Sequence, residues 1–175
     1  MIFAIPTDTC FWFATSLYDE AWFNLIYRLK WRMSDKRLSF VVKDFDDLKS
    51  IIDINSEQID FLRNYPYPFT VLWGKINSFE LPEFLSVTDY AKIAIRVAER
   101  CLNPMLHDEL VFPMFLTSAN ESWAPEIYSS IELESKFWNE KRIKIFEGTL
   151  KSCPPSDIFG FSWSTLEPLF IRKNH

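Results

Sequence analysis

Glycine is scarce in this chain. Its 175 residues include three glycines, Gly74, Gly148 and Gly160. Neither a phosphate-binding G-x-x-x-x-G-K-[ST] loop nor a dinucleotide-binding G-x-G-x-x-G turn can be written from glycines that lie so far apart. If the protein binds a nucleotide, side chains rather than a glycine-rich backbone loop must therefore hold the phosphates.

Histidine and cysteine are also few. The two histidines, His107 and His175, argue against a histidine-based metal site and against a Ser–His–Asp triad. The three cysteines, Cys10, Cys101 and Cys153, are odd in number and widely spaced, so they indicate neither a disulfide framework nor a zinc site. We expect them to be small buried residues in a reducing compartment.

Long hydrophobic runs are missing as well. No apolar run approaches the ~20 residues that a membrane-spanning helix needs. The N-terminus has neither the basic residues nor the small-residue cleavage site of a signal peptide. A hydrophobic fraction of 48% and an aromatic fraction of 17% are typical of a globular chain. We therefore expect one cytoplasmic domain that spans residues 1–175 and does not enter a membrane.

The cations are unevenly distributed. The formal net charge is −5, which argues against a protein-wide attraction for nucleic acid. Five cations nevertheless lie between positions 28 and 37, opposed only by Asp35, and they are Arg28, Lys30, Arg32, Lys36 and Arg37. This basic stretch predicts a local anion site, although a solvated helix face has the same composition.

Strand-like and helix-like segments alternate along the chain. The first strand, Ile2–Ile5, ends at Pro6, which has no N–H to donate to a sheet. An apolar stripe predicts a helix over Asp19–Lys30. The other predicted strands are Leu38–Val42, Phe69–Trp73, Ile93–Val97, Phe115–Thr117, Ile143–Phe146 and two short ones near Ile158 and Phe170. The other predicted helices are Asp46–Ile52, Ser56–Asn64, Asn103–Leu110 and Ile131–Trp138. The pattern indicates a mixed α/β fold with a twisted sheet.

Polar side chains follow several of these elements. Thr7, Asp8 and Thr9 come directly after the first strand, where open α/β sheets receive substrates, although such residues also satisfy their own turn. Lys30-x-Arg32 follows the first helix. The point charge of a lysine and the planar guanidinium of an arginine together suit a polyphosphate, but cations at a helix C-terminus also compensate the helix dipole. Ser118-Ala119-Asn120 follows a strand, and this pattern is also common in caps and turns.

These motifs occur in one order along the chain, with three further ones. The first four are Pro6-Thr7-Asp8-Thr9, Lys30-x-Arg32, Ala94-Ile95-Arg96-Val97 and Thr117-Ser118-Ala119-Asn120. The other three are Pro66-Tyr67-Pro68-Phe69-Thr70, Pro155-Ser156-Asp157-Ile158 and Leu169-Phe170-Ile171-Arg172. Together they resemble the YrdC-like threonylcarbamoyl-adenylate synthase family in its short bacterial form. The resemblance extends from about Ile2 to Arg172.

The resemblance implies a fold and a reaction. The fold is an α/β, YrdC-like, twisted open mixed sheet with flanking helices in a single domain. The reaction joins L-threonine, bicarbonate and ATP into threonylcarbamoyl-adenylate, with release of pyrophosphate, for the threonylcarbamoyladenosine modification of tRNA. The downstream partner is the tRNA threonylcarbamoyl transferase machinery. Magnesium would be held mainly through the phosphates, so no dedicated metal ligands are expected.

The resemblance also implies two sets of site residues. The set that binds the ATP phosphates and ribose, or closes over the nucleotide, is Lys30, Arg32, Ser118, Asn120, Ser156 and Arg172, with Lys30 and Arg32 as the catalytic pair. The set on the threonine side is Thr7, Thr9, Arg96 and Thr117.

The chain departs from the family pattern at several glycines. Phe11-Trp12-Phe13-Ala14 stands where the family has Tyr-Gly-Leu-Gly, and Trp31, Tyr67 and Trp123 stand where many members have glycine. Replacing glycine by an aromatic residue removes freedom at positive φ and fills space near a ligand. We expect the rings of Trp31, Tyr67 and Trp123 to point outward, because the phosphate-binding side chains are retained.

Two alternative functions remain open. The first is an RNA-binding or accessory module without turnover, with the basic stretch 28–37 as its candidate RNA-binding surface. The lost glycines favour it, and the retained Lys30, Arg32, Ser118 and Asn120 oppose it. The second is the carbamoyl-transfer relative of hydrogenase maturation, which ranks last because its zinc-finger and acylphosphatase regions have no counterpart in this sequence.

Overall fold

One mixed β-sheet organises the chain. The computed structural model describes residues 1–33, 36–162 and 166–175, and within them the sheet has nine strands. The strands are β1 (Ile2–Pro6), β2 (Phe11–Ser16), β3 (Ser39–Val42), β4 (Phe69–Gly74), β5 (Lys92–Val97), β6 (Met114–Ser118), β7 (Ile143–Ile145), β8 (Asp157–Phe161) and β9 (Pro168–Arg172). Their order across the sheet is β7-β1-β2-β6-β3-β5-β4-β8-β9. The pairs β1–β7, β3–β5 and β4–β8 are parallel, whereas the other neighbouring strands are antiparallel.

Four of the five α-helices that the structure describes begin at a residue whose side chain caps them. The helices are α1 (Glu20–Leu29), α2 (Phe45–Ile51), α3 (Ser56–Asn64), α4 (Ala98–Cys101) and α5 (Ser130–Lys136), and α4 has no side-chain cap. The Asp19 carboxylate accepts a hydrogen bond from the backbone N–H of Trp22 at 3.2 Å, which satisfies one free donor in the first turn of α1. This cap fixes where α1 starts, and Lys30 and Arg32 follow directly after its C-terminal end.

Hydrophobic side chains pack on both faces of the sheet. In β1, Ile2 and Ala4 belong to the larger core and Ile5 to the smaller one, as the alternation of a strand requires. Helices α1, α2, α3 and α5 contribute to the larger core, and α4 contributes to the smaller one. Because both faces are covered, the carboxyl ends of the strands and their loops are left to form a site.

The prediction of a mixed α/β sheet with flanking helices is confirmed, and one strand was missed. Strand β2, Phe11–Ser16, pairs with β1 and β6, whereas the sequence was interpreted there only as a departure from a family motif. Phe11, Phe13 and Ala14 are fully buried. With both faces covered, β2 shows no alternation of polar and apolar residues, which is why it gave no clear signal. Its phenylalanines are core residues and do not narrow a ligand pocket.

The helix predicted over Asn103–Leu110 is a 3-10 helix, Pro104–Glu109. It buries none of its residues, so no apolar stripe stabilises a longer α-helix there.

Three further observations concern membrane-spanning helices, the cysteines and the acidic residue of the basic stretch. None of the helices in residues 1–33, 36–162 and 166–175 has the length and apolar character needed to cross a membrane. The three cysteines are free thiols; Cys10 and Cys101 are buried as expected, whereas Cys153 is partly exposed. Asp35, which opposes the basic stretch in the sequence, lies outside the described residues.

Candidate functional site

A small cavity opens beside the ends of β1 and β6. Its volume is about 130 Å³, and its lining residues are Thr9, Cys10, Trp12, Ser118, Glu126, Tyr128, Cys153, Pro155, Ser156 and Arg172. The structure therefore brings together Thr9, Ser118, Ser156 and Arg172, four predicted site residues that are far apart in the sequence. The other six lining residues were not predicted.

The turn after β1 is held by its own side chains. The Thr7 hydroxyl donates to the carbonyl oxygen of Cys10 at 2.8 Å and lies 3.1 Å from the Thr9 hydroxyl. The indole N–H of Trp12 donates to the Thr9 hydroxyl at 3.1 Å. Both threonines are buried. They thus satisfy their own turn, and this turn presents Thr9 and Trp12 to the cavity.

Lys30 joins two predicted motifs. Its side chain is 2% exposed, and its ammonium donates to the backbone oxygens of Ser118 and Asn120. The Asn120 side-chain oxygen lies 3.4 Å from the same nitrogen, and the Asn120 amide donates to the carbonyl oxygen of Ala124 at 2.6 Å. We call Lys30, Ser118 and Asn120 the Lys30 junction. The end of α1 and the loop after β6 therefore form one cationic site.

The charge of Lys30 has no carboxylate partner. Among residues 1–33, 36–162 and 166–175, Lys30 forms no salt bridge, and the oxygens that accept its hydrogen bonds are neutral. Burial first, and then the nearby charge of Arg32, lower the pKa of the Lys30 ammonium to about 7. An anion bound at the Lys30 junction would restore the charged form.

Arg32 lies away from the cavity that Ser118 lines. Its guanidinium donates to the carbonyl oxygens of Lys36 and Arg37, each at 2.8 Å. It lines a second cavity of about 290 Å³, together with Tyr27 and Tyr90. The two cations of the Lys-x-Arg motif thus point to different partners.

Arg96 is buried against Asp8. One terminal nitrogen of its guanidinium donates to the Asp8 carboxylate at 2.6 Å, and its Nε donates to the carbonyl oxygen of Phe69 at 3.2 Å. Arg96 is 1% exposed, and its other terminal nitrogen has no hydrogen-bond partner among the described residues. Burial raises the pKa of the Asp8 carboxyl, and the charge of Arg96 opposes part of this rise.

The last strand is tied to the cavity through Ser156. The Arg172 guanidinium donates twice to the carbonyl oxygen of Ser156, at 2.7 and 3.1 Å. The Ser156 hydroxyl lies 2.9 Å from that of Thr70. Both predicted residues therefore lie in the site, with Arg172 anchoring β9 over it. Thr117 is buried in β6 and does not line the cavity.

The residues missed from the sequence lie beside the predicted ones. Cys10 and Trp12 follow the Thr7–Thr9 turn, and Cys153 and Pro155 come just before Ser156. Their proximity to a motif was an available signal. Glu126 and Tyr128 come from a segment with no motif and no predicted element, so only the fold identifies them.

The aromatic residues at the three glycine positions differ in their surroundings. Trp31 is 80% exposed and Trp123 is 89% exposed, so these two side chains point outward as expected. Tyr67 is 44% exposed and lines a small cavity with Asp8 and Arg96. Trp31 and Trp123 nevertheless keep a glycine-like backbone, with φ of +48° and +74°. The expectation that aromatic residues would remove positive φ at these two positions was therefore wrong.

No protein cluster is arranged for a metal. Within residues 1–33, 36–162 and 166–175, no group of three or more histidine, cysteine, aspartate or glutamate side chains is placed to hold an ion.

Comparison with known proteins agrees with the family resemblance of the sequence motifs. The Sua5/YciO/YrdC family, described as "Telomere recombination", matches residues 1–173. The threonylcarbamoyl-AMP synthase of Vibrio vulnificus (strain YJ016) is 26% identical over 162 residues, which cover 90% of this chain and 85% of that protein.

Solved structures share the fold at low identity. E. coli YciO has a TM-score of 0.76 and 19% identity, covering 98% of this chain and 82% of its own. P. abyssi Sua5 complexed with L-threonine has a TM-score of 0.75 and 21% identity, covering 98% of this chain and 49% of its own. HypF in a phosphate- and nucleotide-bound form has a TM-score of 0.78 and 20% identity, and this chain spans 26% of its length. With the match over residues 1–173, the chain belongs to the Sua5/YciO/YrdC family.

Proposed function

We propose that this protein is a threonylcarbamoyl-AMP synthase. It joins L-threonine, bicarbonate and ATP into threonylcarbamoyl-AMP and pyrophosphate, and it supplies this product to the tRNA threonylcarbamoyl transferase machinery. The observation that carries the proposal is the Lys30 junction, where a buried ammonium with no carboxylate partner adjoins a cavity lined by Ser118 and Arg172. The 26% identity with the V. vulnificus enzyme supports the same activity.

The proposed chemistry needs little acid–base catalysis from side chains. The threonine amine and bicarbonate form a carbamate with loss of water. A carbamate oxygen then attacks the α-phosphorus of ATP, and the bond from that phosphorus to the bridging oxygen breaks as pyrophosphate leaves. Positioning the reactants and stabilising the phosphate charge are the main tasks of such a site. The ammonium of Lys30 and the guanidinium of Arg172, which lines the cavity, suit these tasks.

The site residues take the following roles in this proposal. Lys30, Ser118 and Asn120 hold the phosphates and the ribose, while Ser156 and Arg172 close over the nucleotide. The cavity of about 130 Å³ takes one end of the nucleotide, and the phosphates extend to the Lys30 junction. Arg32 joins them by exchanging its bonds with Lys36 and Arg37 for bonds with phosphate.

The threonine side is assigned to a second group of residues. Thr7, Thr9 and Arg96 are assigned to the amino acid, and Thr117 belongs to the same group although it is buried in β6 and does not line the cavity. The unpartnered nitrogen of Arg96 is the proposed donor for the carboxylate of the amino acid. The leaving pyrophosphate would gain additional charge neutralisation from magnesium held mainly through the phosphates.

Omitting substrates tests this proposal. Pyrophosphate release should require ATP, threonine and bicarbonate together, because the carbamate is the nucleophile. Valine should replace threonine poorly, since a site that binds a hydroxyl leaves polar groups unpaired when the hydroxyl is missing. Lys30→Met should lose release, whereas Lys43→Met, at an exposed lysine, should retain it.

Two results would contradict the proposal. Release from ATP alone would indicate ordinary nucleotide hydrolysis. No release under any condition, with ATP still bound, would favour the accessory module without turnover.

A further inference from the structure

A buried carboxylate stands directly after Ser156. Asp157 is fully buried, and its carboxylate accepts one hydrogen bond from the Tyr65 hydroxyl and another from the backbone N–H of Asn174, each at 2.6 Å. The Nδ1 atom of His175 lies 3.4 Å from the same carboxylate. Burying a carboxylate is costly unless such hydrogen bonds compensate its lost hydration. The start of β8 is therefore tied both to the segment after α3 and to the residues after β9.

The residues after β9 also hold the backbone at Ser156. The side-chain amide of Asn174 donates to the carbonyl oxygens of Pro155 at 3.0 Å and Ser156 at 3.2 Å. The Arg172 guanidinium donates to the same Ser156 oxygen. Pro155, Ser156 and Arg172 line the cavity of about 130 Å³. Asn174 thus holds two of these residues without lining the cavity itself.

An aromatic ring packs against His175. The Tyr67 ring stacks on the His175 imidazole, with ring centroids 4.8 Å apart and an interplanar angle of 17°. Tyr67 stands where many members of the family have glycine, and a glycine has no ring to offer to this contact. We call Tyr67, Asp157, Asn174 and His175 the Asp157 clamp. The aromatic residue at this glycine position therefore has a partner within the clamp.

We propose that the Asp157 clamp positions Ser156 and Arg172 at the cavity before ATP binds. The inference rests on the proposed function, in which these two residues close over the nucleotide. An arginine that is ordered only when its ligand binds loses rotamer freedom at that moment, and the loss weakens the affinity. The hydrogen bonds and the stacked rings of the clamp restrict this freedom in advance. The clamp residues are positioning residues, because they act through Ser156 and Arg172.

Variants on both sides of the stacked rings test the proposal. Tyr67→Gly, His175→Ala and Asn174→Ala should each weaken ATP binding roughly 5-fold, because each leaves Arg172 less ordered. Calorimetric titration of ATP measures this affinity. The KM for ATP in pyrophosphate release should rise by a similar factor, whereas kcat should change by less than about 2-fold, since the clamp does not touch the reacting atoms.

Matched variants and a spectroscopic signal separate positioning from general effects. Tyr67→Phe keeps the stacked ring and should retain the affinity of the unaltered protein. Asp60→Ala, at an exposed aspartate, should retain it as well. The Nε–H of Arg172 donates to the Ser156 oxygen at 3.1 Å, so its signal in proton–nitrogen correlation NMR spectra should be protected from exchange with water. This protection should fall in Asn174→Ala, with no ATP present.

Failure of the clamp and failure of the proposed function give different results. Unchanged ATP affinity with an unchanged Arg172 signal in His175→Ala and Asn174→Ala would overturn the clamp. Tighter ATP binding by Tyr67→Gly would overturn it too, since the ring lines a small cavity and would then narrow the site. If the proposed function is wrong, the unaltered protein will not bind ATP, and the Arg172 signal alone will show whether the clamp orders this side chain.

Discussion

Two buried cations in the site differ in their partners. Arg96, 1% exposed, is paired with the Asp8 carboxylate at 2.6 Å. Lys30, 2% exposed, donates only to neutral oxygens of Ser118 and Asn120. Removing a charge from water is costly unless an opposite charge compensates it. The comparison indicates that Arg96 is compensated by the fold itself, whereas Lys30 is best compensated by a bound anion.

This difference separates the two ends of the site. At the Arg96 end a carboxylate of the protein already pairs with the guanidinium, so in the proposed function an amino-acid substrate would gain a directed donor rather than a large charge. At the Lys30 end only neutral oxygens of the described residues accept from the ammonium. The fold therefore compensates the first charge itself, whereas in the proposed function phosphate compensates the second.

The largest expected effect is a loss of stability when the Asp8–Arg96 pair is broken. Asp8→Ala leaves Arg96 buried without its carboxylate, and breaking a buried pair in this way should lower the free energy of unfolding by about 3 kcal/mol. Urea unfolding measures this loss. Asp53→Ala, at an exposed aspartate, is the matched control and should change stability little. Equal stability of both variants would show that Arg96 finds another partner.

The next effect should separate binding from folding. Lys30→Met removes a buried cation that no carboxylate compensates, so relief of its desolvation should offset part of the lost hydrogen bonds to Ser118 and Asn120. The free energy of unfolding should therefore fall by less than it does for Asp8→Ala. ATP affinity should fall at least ~10-fold, the scale of a lost charge-assisted hydrogen bond. Calorimetric titration of ATP and urea unfolding of the same variant give both quantities. If Lys30→Met lowered stability strongly but left ATP affinity unchanged, Lys30 would serve the fold and not the nucleotide.

Much of this arrangement could be predicted from the sequence. Lys30, Ser118 and Asn120 were identified by type and order, because each follows a recognisable helix or strand. Strand β1 and helix α1 were predicted because their apolar residues have clear periodicity. The meeting of α1 with the loop after β6 was expected only from family resemblance.

The rest depends on contacts that sequence patterns do not encode. The Asp8–Arg96 pair joins residues 88 positions apart, and nothing local indicates that Asp8 rather than a substrate occupies Arg96. The directions of Lys30 and Arg32 differ because Arg32 finds carbonyl oxygens in its own loop. The positive φ of Trp31 and Trp123 reverses the usual preference of such residues, so no propensity predicts it.

The smallest expected effect is a proton taken up by Lys30. Burial lowers its pKa to about 7, so near neutral pH many of the molecules carry the neutral amine. Bound phosphate favours the charged form, and ATP binding at pH 7.5 should therefore take up a fraction of a proton at Lys30. Uptake should shrink towards pH 6, where the amine is already charged, and affinity should weaken as pH rises above 7. Calorimetry in two buffers of different ionisation enthalpy measures the uptake. Lys30→Arg keeps its charge throughout this range and serves as the reference for protons bound by ATP itself. The same uptake in both proteins would mean that Lys30 is charged before ATP arrives, and the contrast with Arg96 would then rest on geometry alone.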